Sequence, residues 1–95
     1  MNDRDETTRL DGAGISVRCL FFARYEELLG TAELNVVLPS GASVADAVAH
    51  VRENVSGGEQ LPAKPLVAKN QRHVQHDSAL EEGDELAFFP PLAGG

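Results

Sequence analysis

A single cysteine, Cys19, stands in the whole chain, so no internal disulfide can staple it, and a lone thiol fits a reducing cytoplasm. Long apolar runs are missing too: none approaches the ~20 residues of a membrane span, which argues against a membrane partner. The first fourteen residues, MNDRDETTRLDGAG, lack the apolar stretch of a secretory signal and read as a disordered leader over 1–14. Basic residues are few, 8 Lys+Arg against 15 Asp+Glu, and the net charge of −7 argues against nucleic acid as a partner. The acidic excess serves solubility, or a partner with a basic docking surface. His50, His73 and His76 have no metal-ligand spacing with a carboxylate or with Cys19, so no metal site is expected.

What is present is enough for one domain over residues 15–95, with an apolar share of 42% that is ordinary for a globular chain. Ile15–Phe22 is rich in β-formers and predicts a first strand. Ala23–Leu29 reads as a short helical turn that Gly30 ends, and Ala32–Leu38 as a second strand closed by Pro39-Ser40-Gly41. Ser43 or Ala42 opens the one long helix: Val44, Ala47, Val48, Val51 and Val55 form an apolar stripe, with Asp46 supporting the first turn and Ser56-Gly57-Gly58 ending it. Leu66-Val67-Ala68 and His73-Val74-Gln75 flank Asn70-Gln71 as a hairpin. Ser78–Gly83 reads as a polar turn and Glu85–Phe89 as the last strand. The order predicts an α+β fold, one sheet wrapped around one main helix.

The strand patterns carry the first functional clue. In the first strand Val17, Cys19 and Phe21 share one face, and Leu20 and Phe22 the other. In the last, Leu86 and Phe88 oppose Ala87 and Phe89. One helix covers one face of a sheet, so Leu20, Phe22 and Phe89 are expected to bind a partner, unless both strands are central and loops fold over them. Cys19 falls on the core face, where a free cysteine acts as a small hydrophobe and not as a sulfur relay. Lys69 and Arg72 near the hairpin are either solvated charges or contacts to a partner's acidic patch.

The second clue is the ending, Phe88-Phe89-Pro90-Pro91-Leu92-Ala93-Gly94-Gly95. Pro90-Pro91 favours an extended exit, and Ala93, Gly94 and Gly95 make a thin thread. Residues 90–95 can reach roughly 20 Å at ~3.3 Å each, far enough to put a terminal carboxylate into another protein's active site. A frayed terminus is the alternative.

The ending AFFPPLAGG, Glu82-Gly83-Asp84-Glu85-Leu86 before it, the opening Cys19-Leu20-Phe21-Phe22-Ala23 and the Val67–Gln71 hairpin resemble the small subunit of molybdopterin synthase. That is the MoaD-type sulfur carrier of the ubiquitin-like MoaD/ThiS superfamily, and the likeness runs in order from about residue 15 to residue 95. It implies a β-grasp fold and no catalytic side chain or bound cofactor on the carrier itself. By the same resemblance, an E1-like adenylating enzyme uses ATP to activate the Gly95 carboxylate. A cysteine desulfurase or rhodanese-like donor then supplies sulfur, giving a Gly95 thiocarboxylate. The thiocarboxylate donates its sulfur to a cyclic pyranopterin precursor on the large synthase subunit, in a heterotetramer of molybdenum cofactor biosynthesis, and two such transfers build the dithiolene. Pro90, Pro91, Leu92, Ala93 and Gly94 become the arm that threads the partner's channel. An unactivated carboxylate, with a pKa about 3.5, is ionised at neutral pH and a poor electrophile, so activation makes chemical sense.

The chain departs from that pattern at His73, where an apolar interface residue is expected, and in its leader. Two other readings share the terminal chemistry: a carrier for thiamine or cysteine synthesis, and a ubiquitin-like protein modifier.

Overall fold

The computed structural model describes residues 14–91, so the leader up to residue 13 and the tail residues Leu92, Ala93, Gly94 and Gly95 lie outside the described residues. Five strands form one sheet: β1 (Gly14–Phe21), β2 (Glu33–Pro39), β3 (Leu66–Lys69), β4 (Arg72–His73) and β5 (Glu85–Phe89). Two helices, α1 (Arg24–Leu29) and α2 (Val44–Asn54), and a 3-10 turn at Gly58–Gln60 complete the elements. The strand order is β2-β1-β5-β3-β4, with β1 and β5 parallel and the other pairs antiparallel. This is the mixed sheet around one main helix that the sequence predicts. β1 starts one residue earlier than read, because Gly14 still pairs with Pro39.

Local chemistry explains why α2 begins where it does. The Ser43 hydroxyl accepts from the Asp46 amide at 3.2 Å, and the Asp46 carboxylate accepts from the Ser43 amide at 2.9 Å. The capping box satisfies two amides that the first turn leaves without intrahelical partners. Val44, Ala47, Val48 and Val51 then turn one buried stripe onto the sheet. Against it lie Val17, Cys19 and Phe21 of β1 and Leu86 and Phe88 of β5, none more than 1% exposed. The Phe21 and Phe88 rings meet at 5.1 Å with a 47° tilt, a favoured aromatic geometry. Cys19 is fully enclosed there, and burial pushes its thiol up to about 12, so it is neutral and unreactive at physiological pH.

The Gly57-Gly58 pair after α2 has a second duty beyond ending a helix. A Cβ on Gly57 would sit 2.2 Å from the Leu28 carbonyl oxygen, and one on Gly58 would sit 2.1 Å from that of Val51. The ends of both helices approach backbone to backbone at this point, and only glycine leaves room.

Two segments differ from their sequence reading. Ser78–Gly83 is not a purely polar turn: Leu80 is 3% exposed in the core, and its amide donates to the Ala42 carbonyl at 2.9 Å. The segment thereby closes over the start of α2, where the Val44 amide donates to Ser78 O. The second hairpin strand is shorter than read, Arg72–His73 only, because Val74 leaves the ladder and packs against the core. The turn itself is as expected: Asn70 and Gln71 have φ of 50° and 73°, the two-residue geometry that matches strand twist. Asn70 is tied further to β5, its side-chain oxygen accepting from the Glu85 amide and its amide group donating to Asp84, both at 2.9 Å.

Candidate functional site

Because β1 and β5 run parallel, they end at the same edge of the sheet. The register pairs Phe21 with Phe88, so the next residues, Phe22 and Phe89, emerge side by side on the face away from α2. Their rings stack at 5.0 Å and 2°. β3, antiparallel to β5, brings Leu66 opposite Phe89, and β4 sets His73 opposite Ala68. The small side chains of Ala68 and Ala87 form a buried floor between these larger ones.

Both strands are central, yet among the described residues no loop buries the face. Phe22 keeps 42% of its surface exposed and Leu66 53%. Leu20 is half-buried over Ala87 in a hollow of about 430 Å³, and a second hollow of about 690 Å³ lies between Phe22, Leu66, Phe89 and Pro91. The structure therefore brings together Leu20, Phe22 and Phe89, the three residues assigned to partner binding. Pro90 is half-buried and Pro91 exposed directly beyond Phe89, so the tail starts at the rim of this apolar surface. The rest of the tail, Leu92, Ala93, Gly94 and Gly95, lies outside the described residues.

Sequence reasoning missed several parts of the face. Leu66 stands in a recognisable strand, but its place beside Phe89 depends on a β3–β5 pairing that no local pattern encodes. Ala23, just after Phe22, has φ 52° and ψ −124°, a turn geometry favoured by glycine, and the Tyr25 amide closes that turn on Phe22 O at 3.0 Å. Holding alanine there costs on the order of 1 kcal/mol and fixes the angle at which the Phe22 ring leaves the sheet. Farther down the same face Arg18 bridges Glu85 of β5 and Glu33 of β2. The hydrogen bond to Glu85, then the charge of Glu33, raise the Arg18 guanidinium above its ordinary value. The face thus has an apolar half at the tail root and an ion-paired half beyond it.

Lys69 is not a free charge at the hairpin, since its ammonium donates to the Ala79 carbonyl at 2.9 Å. His76 sits off the apolar face, its Nε2 2.8 Å from Pro65 O. Among the described residues no three His, Cys, Asp or Glu side chains gather as metal ligands, and no helix is long and apolar enough to cross a membrane.

A β-grasp sheet around one helix, with its last strand leading into a tail beside an open apolar face, defines a ubiquitin-like protein. The chain belongs to the ThiS family, whose sequence pattern matches residues 19–95. It is 40% identical over 82 residues to the molybdopterin synthase sulfur carrier subunit of Haemophilus influenzae, covering 80% of this chain and 95% of that one. The putative molybdopterin converting factor subunit 1 of Pyrococcus furiosus superimposes with a TM-score of 0.74 at 29% identity, over 82% of this chain and 99% of the other. SAMP1 of Haloferax volcanii gives the same TM-score, 0.74, at 28% identity over 84% and 99%.

Proposed function

We propose that this chain is the sulfur carrier subunit of a molybdopterin synthase, with the Gly95 carboxylate as its reactive group. The observation that carries the reading is the 40% identity to a named carrier subunit along nearly that protein's whole length. The open Phe22–Phe89 face at the tail root supports it, since it supplies a docking surface where the arm departs.

The chain's part in the reaction is positional. The large subunit covers Leu20, Phe22, Leu66 and Phe89, and docking aims Pro90 to Gly95 into the active site, where the pyranopterin precursor waits. Proximity then replaces catalytic side chains on the carrier. Beforehand an adenylating enzyme joins the same carboxylate to AMP, with pyrophosphate leaving; a donor's persulfide displaces the AMP, and a thiol then cleaves the acyl disulfide, leaving the Gly95 thiocarboxylate and a new disulfide. Gly94 and Gly95 keep the arm free of Cβ atoms where the channel is tightest. The absence of a reactive thiol on the carrier agrees with this division of labour, since Cys19 is sealed in the core. The cytoplasm is the compartment that suits these reducing steps.

Intact mass tests the proposal. Incubation with ATP, an adenylating enzyme, a persulfide sulfur donor and a thiol reductant is expected to replace one oxygen of the Gly95 carboxylate with sulfur. Adding the large subunit and precursor then returns the original mass. The equal superposition on SAMP1, the small archaeal modifier protein 1 of Haloferax volcanii, favours a second reading, attachment of Gly95 to a lysine. That reading predicts a ladder of heavier conjugates and no thiocarboxylate.

A further inference from the structure

His73 is the one polar side chain that lines both hollows of the face; Gln71 and Glu85 line only the smaller and Arg24 only the larger. It stands beside Phe89, with ring centroids 6.3 Å apart at 55°, and it is exposed in the free chain. Among the described residues, the charged groups on the surrounding elements give it no carboxylate of its own. Glu85 of β5, which lines the smaller hollow, is bound to Arg18. Arg24 of α1, which lines the larger, is a cation, as is its strand neighbour Arg72. β3 presents only Leu66 and Ala68 on this side, because Lys69 reaches away to Ala79. A partner that covers Phe22 and Phe89 must also strip water from this imidazole. A surface shaped for an aliphatic side chain would leave the ring nitrogens unpaired, and a charged ring against apolar walls is costlier still.

Resting on the docking role proposed above, we propose that His73 is a specificity residue of this face: the partner buries it as the neutral imidazole and accepts a hydrogen bond from its ring N–H. Only a surface with an uncharged acceptor, such as a carbonyl, opposite β4 then fits this carrier, and protonation of the ring opposes docking.

The experiment is a titration of the full chain, wild type, His73→Gln and His73→Leu, with the large synthase subunit at about pH 7.5 and about pH 5.5. Imidazole is the side chain that gains charge on going from about pH 8 to about pH 5, so wild-type affinity is expected to fall several-fold from the higher to the lower pH. His73→Gln, which keeps a neutral donor, is expected to bind within about threefold of wild type at the higher pH. His73→Leu, which leaves the partner's acceptor unpaired, is expected to lose about tenfold there. Both variants should lose the pH dependence that wild type shows. A wild-type affinity that stays flat or rises at the lower pH overturns the proposal, as does a leucine variant that binds as tightly as wild type at the higher pH. In either case binding at the higher pH leaves the carrier reading standing. No binding by wild type at either pH removes the carrier's docking role, and the His73 proposal with it.

Discussion

Phe22→Ala separates an interface residue from a core residue by a margin that standard assays resolve. Full burial of a phenylalanine side chain is worth about 1.5–3 kcal/mol, and Phe22 already keeps 42% of its surface in water. Truncation forfeits the remaining part and the stacked contact with Phe89, for a stability loss of about 1.5–3 kcal/mol. Phe88, one position before Phe89 but on the helix face, is fully buried, and Phe88→Ala should cost about 3–5 kcal/mol. In a domain of this size each kcal/mol shifts the melting temperature by about 4–8 °C, so the two variants are distinguishable. Binding should rank them the other way. An aromatic at the centre of a docking surface is worth about 2 kcal/mol or more, so folded Phe22→Ala should lose at least about 30-fold in affinity for the large subunit. Thermal unfolding of both variants beside titration of Phe22→Ala provides the numbers. A melting-temperature loss for Phe22→Ala as large as for Phe88→Ala, with affinity unchanged, would refute the assignment of this face to a partner.

The tail, the glycine contact and the buried thiol yield further expectations. Gly94→Val, or one residue added after Gly95, should change stability by less than about 0.5 kcal/mol, yet slow single-turnover sulfur transfer ~10²-fold or more; wild-type rates would remove the narrow-channel argument. Gly58→Ala should destabilise by more than about 2 kcal/mol, measured by denaturant melts, because its Cβ meets Val51 O at 2.1 Å and both are backbone-bound. Cys19 stays protonated in the fold up to about pH 12, whereas an unfolded thiol ionises from its ordinary value of about 8.5 upward. The unfolded state therefore binds fewer protons in that window, and stability falls with rising pH by up to ~1.4 kcal/mol per unit; Cys19→Ala should remove that share of the slope in melts taken between those limits.

Much of the fold was legible because its signals are local. The stripe from Val44 to Val51, the Ser43–Asp46 reciprocal cap and the left-handed Gly30 follow from helical spacing and terminal hydrogen bonding. The Asn70-Gln71 turn and β5 were equally readable, one from side chains that tolerate positive φ, the other from alternation. Ser78–Gly83 misled because its composition is polar, while the one apolar side chain in it that matters, Leu80, is buried by a distant contact with Ala42. The candidate site was half legible. Alternation put Leu20, Phe22 and Phe89 off the core face, but could not say that they would meet.

Which residues turn toward the helix, where α2 starts, and that prolines and then glycines follow the last strand can all be read along the chain. These depend on spacings of two to four residues and on the dihedral limits of proline and glycine, which act wherever the chain goes. That β5 lies parallel to β1, between it and β3, is visible in the folded chain alone. That pairing joins residues 67 apart, as Arg18 to Glu85, and its register sets Phe22 on Phe89, Leu66 opposite Phe89 and His73 within reach of its ring. Pairing of that kind is chosen by the burial of the whole sheet under α2, a global balance that no short stretch of sequence contains.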